Sequence, residues 1–218
     1  RMKLLQTLMN PDPKWLAGLE SQIAADAVSI AASRLMLLER LQQHVEALGS
    51  SASLFPQPQL SMQGWVEEEI ARRPASVIED ELKEKLSISR GLDREAGRTH
   101  HGIHRSDLIV MYAEKNMQAA QCSTGEQKSL LVAIILAHAL MMQAEKGFVP
   151  VILLDEVAAH LDEDRRLQLF TQLQSLKGQI WLTGTDEQIF APLRNKAAFF
   201  HVTGGHISVK RPLQAVKV

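Results

Sequence analysis

Six consecutive residues, Val151-Ile152-Leu153-Leu154-Asp155-Glu156, constrain this chain more than any other stretch. Unbroken apolar residues suit a strand covered on both faces, the habit of central strands in parallel sheets. The two acids that follow fall at the strand's carboxyl end, the edge at which open α/β sheets bind their ligands. Adjacent carboxylates are useful there for nucleotide hydrolysis. One can hold Mg²⁺ through its water shell, and the other can polarise an attacking water. This is the arrangement known as Walker B.

The surrounding pattern agrees with a sheet flanked by helices. Ser123–Gln143 reads as a buried helix, because its positions from Leu130 onward are apolar almost all round. Glu163–Leu176 is an amphipathic helix, Gln179–Thr183 a second strand, and Asp186–Leu193 a short helix. Ala197–Val202 and Ile207–Lys210 flank a Gly204-Gly205 turn and read as a hairpin. Strand and helix alternate, so residues 96–218 are read as α/β.

Residues 1–95 differ. From Pro13, a good first helical residue behind a possible Asp12 cap, apolar residues recur at helical spacing as far as Leu48, and Gly49 is a plausible stop. Unbroken, that helix is about 50 Å long at 1.5 Å per residue. Ser50–Gln59, with Pro56 and Pro58, is a loop, and Leu60–Trp65 a short strand. A helix runs from Pro74 through Leu86, its charged positions forming a solvated face. Arg98–Ile103 and Leu108–Tyr112 are expected to form a strand pair around a turn. Residues 1–95 are thus a mostly helical lobe without obvious chemistry, and the strand pair opens the α/β part.

Composition narrows the classes. With 45% hydrophobic residues the chain can build a core, and a net charge of −1 gives no overall basic excess for nucleic acid. Any DNA contact must therefore be a local patch, or come from an oligomer or from sequence outside this chain. The single cysteine, Cys122, excludes an intramolecular disulfide framework and fits a reducing compartment. No apolar run approaches the ~20 residues that span a bilayer, so the reading is cytoplasmic, with no membrane. The chain opens on Arg1 in a helix-like stretch, as if cut from something longer.

The second chemical signal is Cys122-Ser123-Thr124-Gly125-Glu126-Gln127-Lys128. Ser123 and Glu126 have capping-box spacing. The same geometry joins Ser123 Oγ, the Gly125 N–H and a helix N-terminus into a site that could accept a γ-phosphate. This helix start lies about 30 residues before the acid pair, and Ala159-His160-Leu161-Asp162 follows directly after it.

In that order the motifs resemble ABC-type ATPases: Ser-Thr-Gly-Glu-Gln looks like their signature motif, and Ala159–Asp162 like their D-loop. Within that superfamily the chain resembles the RecF family. The resemblance rests on Cys122–Lys128, Leu153–Asp162, Trp181-Leu182-Thr183-Gly184-Thr185-Asp186 and Gly102-Ile103-His104-Arg105-Ser106-Asp107-Leu108. The helical lobe is similar to the middle of RecF, so essentially the whole chain is covered.

The resemblance implies the C-terminal half of an ABC-type ATPase head together with a helical lobe. Such heads pair head to tail, with ATP between Walker A and B of one protomer and the signature motif of the other. By analogy Asp155 is the Mg²⁺ ligand through water and Glu156 the general base. Ser123, Gly125 and Gln127 contact the partner's nucleotide, and Asp162 couples the two sites. RecF-like proteins form ATP-dependent homodimers on DNA and help load recombinase at gapped DNA, with mediator proteins such as RecR. The intact protein is thus expected to be a slow, DNA-stimulated ATPase serving recombination, replication and the SOS response.

The chain contains no Gly-x-x-x-x-Gly-Lys-Ser/Thr, which in the RecF family lies nearer the N-terminus, so this chain alone is expected to be inactive. Thr183-Gly184-Thr185-Asp186 stands where transporters usually carry a His, which leaves the γ-phosphate sensor open. Ile103 replaces the family's Pro. The rival readings are a non-catalytic interaction module and an SMC- or Rad50-like head, whose coiled coils are much longer than the helix here.

Overall fold

The structure, a computed structural model, describes residues 1–7, 11–49 and 55–211. Seven α-helices and seven strands occur among them. In chain order these are α1 (Met2–Thr7), α2 (Pro13–Gly49), β1 (Pro58–Gln63), α3 (Trp65–Ile70), α4 (Ala75–Ile88), α5 (Arg90–Ala96), β2 (Asp107–Tyr112), β3 (Met117–Gln118), α6 (Thr124–Lys146), β4 (Ile152–Leu154), α7 (Glu163–Ser175), β5 (Ile180–Leu182), β6 (Phe199–Thr203) and β7 (His206–Arg211). Contacts gather them into two compact units. One is Arg1–Gln43 with Gln59–Met111, and the other is His44–Pro58 with Tyr112–Val218. The long helix α2 contributes residues to both.

In the first unit α2 starts where Asp12 caps it: Asp12 Oδ1 accepts the Lys14 N–H at 2.9 Å. Ala24, Ala27, Val28 and Ala31 of α2 pack with Val66 of α3 and with Ile78, Leu82 and Leu86 of α4. The small side chains allow close approach, and the i, i+4 spacing of Ile78, Leu82 and Leu86 keeps one face of α4 in the core. A buried ion network fastens α5 to this core. Arg1 Nε donates to Glu20 at 2.9 Å and Nη1 to Asp93 at 2.6 Å, while Arg90 grips both Glu20 oxygens at 2.9 and 2.5 Å. Burial pushes the Asp93 carboxyl up. Donors from Arg1, His100 and Ser89 outweigh that and hold its pKa down at about 2.

The expected strand over Arg98–Ile103 does not form. Residues 98–106 make turns that end in one 3₁₀ turn, Ile103–Arg105, and β2 lies beside β1 instead. Side chains satisfy this backbone in place of a ladder. Asp93 accepts the His100 N–H, and Arg34 Nη1 donates to the Ile103 carbonyl while also pairing with buried Glu67. β1 begins two residues earlier than the expected strand, and Trp65 opens α3 rather than ending that strand. The expected Ser50–Gln59 loop lies partly outside the described residues.

The second unit is built on β4 and β5, which pair in parallel with Ile152 opposite Ile180 and Leu154 opposite Leu182. Ile152 and Leu154 face a core with Val132, Leu136 and Ala139 of α6 and Leu169, Phe170 and Leu173 of α7. β6 and β7 form the expected hairpin, and Gly204 and Gly205 both take positive φ (56° and 80°), as the tight turn of a twisted hairpin requires. By length and composition alone α2 and α6 could cross a membrane, contrary to the expectation from apolar runs. α6, however, buries Leu130, Val132, Ala133, Leu136, Ala137, Ala139 and Met141 inside the protein, as a core helix does.

Candidate nucleotide site

Asp155 and Glu156 leave the sheet at the carboxyl end of β4, as the sequence pattern requires. The ladder with β5 continues one rung past the strand: the Thr183 N–H donates to the Leu154 carbonyl at 3.1 Å. That rung sets the Thr183 hydroxyl between the acids. It donates to Asp155 Oδ1 and accepts the Glu156 backbone N–H at 3.1 Å. Glu156 has φ 53°, in the left-handed region. A residue with a Cβ pays roughly 1–2 kcal/mol there, and such strain persists only where surrounding contacts impose it.

Behind Thr183 the chain is packed closely. A Cβ on Gly184 would lie 2.7 Å from Phe190 Cε2, and Phe190 in turn tilts against core Phe170 with ring centroids 6.1 Å apart. The site is therefore anchored to the core from the β5 side. Asp155 is exposed, Glu156 is half-buried, and the hydrogen bonds at Asp155 use one of its two oxygens. Hard oxygen donors with remaining lone pairs suit Mg²⁺, which keeps most of its waters and takes only one or two carboxylates. The pair fits that ion.

At the start of α6 the capping box is realised in full. Ser123 Oγ donates to Glu126 at 2.8 Å and accepts the Glu126 N–H at 3.4 Å, and the Ser123 N–H donates back to Glu126 at 2.9 Å. Lys115, unremarked in the sequence, forms an ion pair with Glu126. The Lys115 ammonium, then the Ser123 hydroxyl and N–H, hold the Glu126 carboxyl down at about 2. Gln127 Nε2 donates to the carbonyls of Ala119 (2.9 Å) and Cys122 (3.2 Å), bracing the turn that leads into the helix. Gly125 has open space where a side chain would stand, so its backbone is approachable. Asp162 caps α7, accepting the Arg165 N–H at 2.9 Å.

The six residues singled out in the sequence thus fall in three places on one unit: Asp155 and Glu156 after β4, Ser123, Gly125 and Gln127 at the head of α6, and Asp162 at the head of α7. Among the described residues no hydrogen bond joins the first two groups. In the sequence Thr183 was the end of a strand and the first residue of the Thr183–Asp186 stretch, with no role of its own. Its bridging role depends on the β4–β5 register, which no local pattern encodes.

Comparison with known proteins decides the family. The chain is 46% identical over 198 residues to the DNA replication and repair protein RecF of Allorhizobium ampelinum, a match covering 91% of this chain. The RecF of Agrobacterium fabrum is likewise 46% identical, over 197 residues and 90% of the chain. By sequence, the chain belongs to the RecF family. It spans about half the length of these curated relatives, 52% in each case. No family model matches it.

The fold agrees. Two solved structures of the recombination mediator protein RecF of the RecFOR pathway, one with ATP and one with ATPrS, superpose with TM-scores of 0.71 and 0.72 at 19% identity. They cover 95% and 96% of this chain and 54% of their own. The α/β unit with its flanking helices is therefore the C-terminal portion of a RecF-type, ABC-like ATPase fold.

Proposed function

We propose that this chain supplies the signature-motif half and the Walker B acids of a RecF-type ATPase that acts as an ATP-dependent homodimer on DNA in recombinational repair. The observation that carries the proposal is the acid pair beyond β4, held by Thr183 with Glu156 in a strained backbone, in a chain 46% identical to RecF. Backbone strain concentrates where function demands it.

In this reading Asp155 would hold Mg²⁺ through water, and the ion when bound would supply positive charge against the phosphates. Glu156 takes the proton of the attacking water. The N-terminus of α6, with the Gly125 N–H exposed to approach, receives the γ-phosphate of the nucleotide bound by the other protomer, and Ser123 and Gln127 shape that turn. Asp162 couples the two sites across the dimer. Relatives solved with ATP and with ATPrS support the nucleotide. The RecFOR pathway of those relatives supports a mediator partner such as RecR, and the same reading has the protein help load recombinase at gapped DNA in the cytoplasm.

An apolar surface running from the parallel β4–β5 pair to the separate β6–β7 hairpin supports a longer working protein. Leu153 opposite Trp181, and Phe200 and Val202 opposite Val209 and Ile207, are all exposed, and Trp181 stacks on Phe200 with centroids 6.0 Å apart. Strands of a parallel sheet are normally covered on both faces, and exposed patches of this kind mark packing or interaction surfaces. The remainder of a RecF-length protein covers this face.

The test is ATP hydrolysis by the full-length protein with and without gapped duplex DNA. Turnover that rises with gapped DNA supports the repair ATPase. Turnover indifferent to DNA removes the repair role, and no turnover removes the ATPase.

A further inference from the structure

Among the described residues no strand partner constrains the backbone past Leu154, yet the two acids that follow must be held still to share a metal ion and a water. The local hydrogen bonds converge on one side chain. A hydroxyl has one proton to give and lone pairs to accept, and Thr183 spends both on this turn. Its proton goes to Asp155 Oδ1, and it accepts the N–H of Glu156, the residue with φ 53°. Thr183 is itself fixed at its N–H by the Leu154 carbonyl and followed by Gly184 against the Phe190 ring.

We infer that Thr183 is the positioning residue of the hydrolytic site: it orients the Asp155 carboxylate for the metal ion and holds Glu156 in its left-handed backbone. The inference rests on the reading of Asp155 and Glu156 given above, and it narrows the open question of what the segment Thr183–Asp186 does. Thr183 acts through the acids and touches no reacting atom. Partners of this kind, behind a metal-binding carboxylate, typically account for about 10- to 100-fold in metal affinity or activity. Serine keeps both halves of the interaction. Valine keeps the shape and loses both, leaving the Glu156 N–H without its acceptor.

The experiment uses the full-length protein and compares Thr183→Val and Thr183→Ser with the parent. Three quantities are read: kcat against KM for ATP, the Mg²⁺ concentration for half-maximal turnover, and Mn²⁺ affinity of the nucleotide complex titrated directly. Thr183→Val is expected to lower kcat about 10- to 100-fold and weaken Mn²⁺ binding by a similar factor, with ATP affinity in EDTA unchanged. Thr183→Ser is expected to restore both. Parent-like kcat and Mn²⁺ affinity in Thr183→Val overturn the inference, as does equal loss in the serine variant. If the valine variant fails to fold, Thr183→Ala removes the same hydroxyl with less bulk, and the same outcomes decide. Glu156→Gln is assayed alongside. If it turns over like the parent, the assignment of the base has failed. If it is inactive while Thr183→Val is unaffected, only the role of Thr183 has failed.

Discussion

Single side chains hold the first unit together in a way that charge patterning conceals. The structure gives Arg90 to Glu20 and has Arg94 donate to the Leu5 carbonyl at 2.5 Å. Asp93 and Glu20 are fully buried, Glu20 held by Arg1 and Arg90 and Asp93 by distant Arg1 together with Ser89 and His100. Removing one member of such a pair typically costs about 3–5 kcal/mol. Asp93→Asn should therefore lower unfolding stability by about 3 kcal/mol in a urea titration, and no loss would contradict the network. The pH dependence has a definite sign. Asp93 titrates near 2 when folded against an ordinary 3.8, so its contribution is fully present above about pH 4 and is lost as pH falls towards 2. In Asp93→Asn that part of the acid sensitivity should vanish. The arginine–acid partners lie 19 to 92 residues apart, which is why no local reading found them.

At the scale of elements, legibility followed periodicity and local chemistry. α2 keeps helical spacing from its Asp12 cap to Gly49, and the β6–β7 hairpin carries its turn in Gly204-Gly205. β4 was visible because four apolar residues run together before two acids. The turns of residues 98–106 were not, because their shape comes from side-chain bonds to Arg34 and Asp93 rather than from any period. For the candidate site, six residues were proposed from type and order, whereas Thr183's bridging contacts needed the strand register and Lys115 the packing of a loop on the α6 cap. The capping box at α6 gives a direct test. Ser123→Ala should cost about 1 kcal/mol in stability, measured by denaturant unfolding. An unchanged midpoint would mean that the Ser123–Glu126 bonds do not carry the cap.

For the whole molecule, the exposed strip of Leu153, Trp181, Phe200 and Ile207 leads to a further expectation. The chain by itself should self-associate as concentration rises, and Leu153→Lys should reduce that association in sedimentation. A monodisperse parent chain would argue against a covered face. The ATPase itself is tested most directly by Glu156→Gln in the full-length protein. General-base catalysis contributes about 10²–10⁴ in rate. The variant should therefore lose at least about a hundredfold of single-turnover ATP hydrolysis while still dimerising when ATP is added. Hydrolysis at the parent rate would contradict the assignment of Glu156, and with it the reading of this chain as the Walker B half of a RecF-type ATPase.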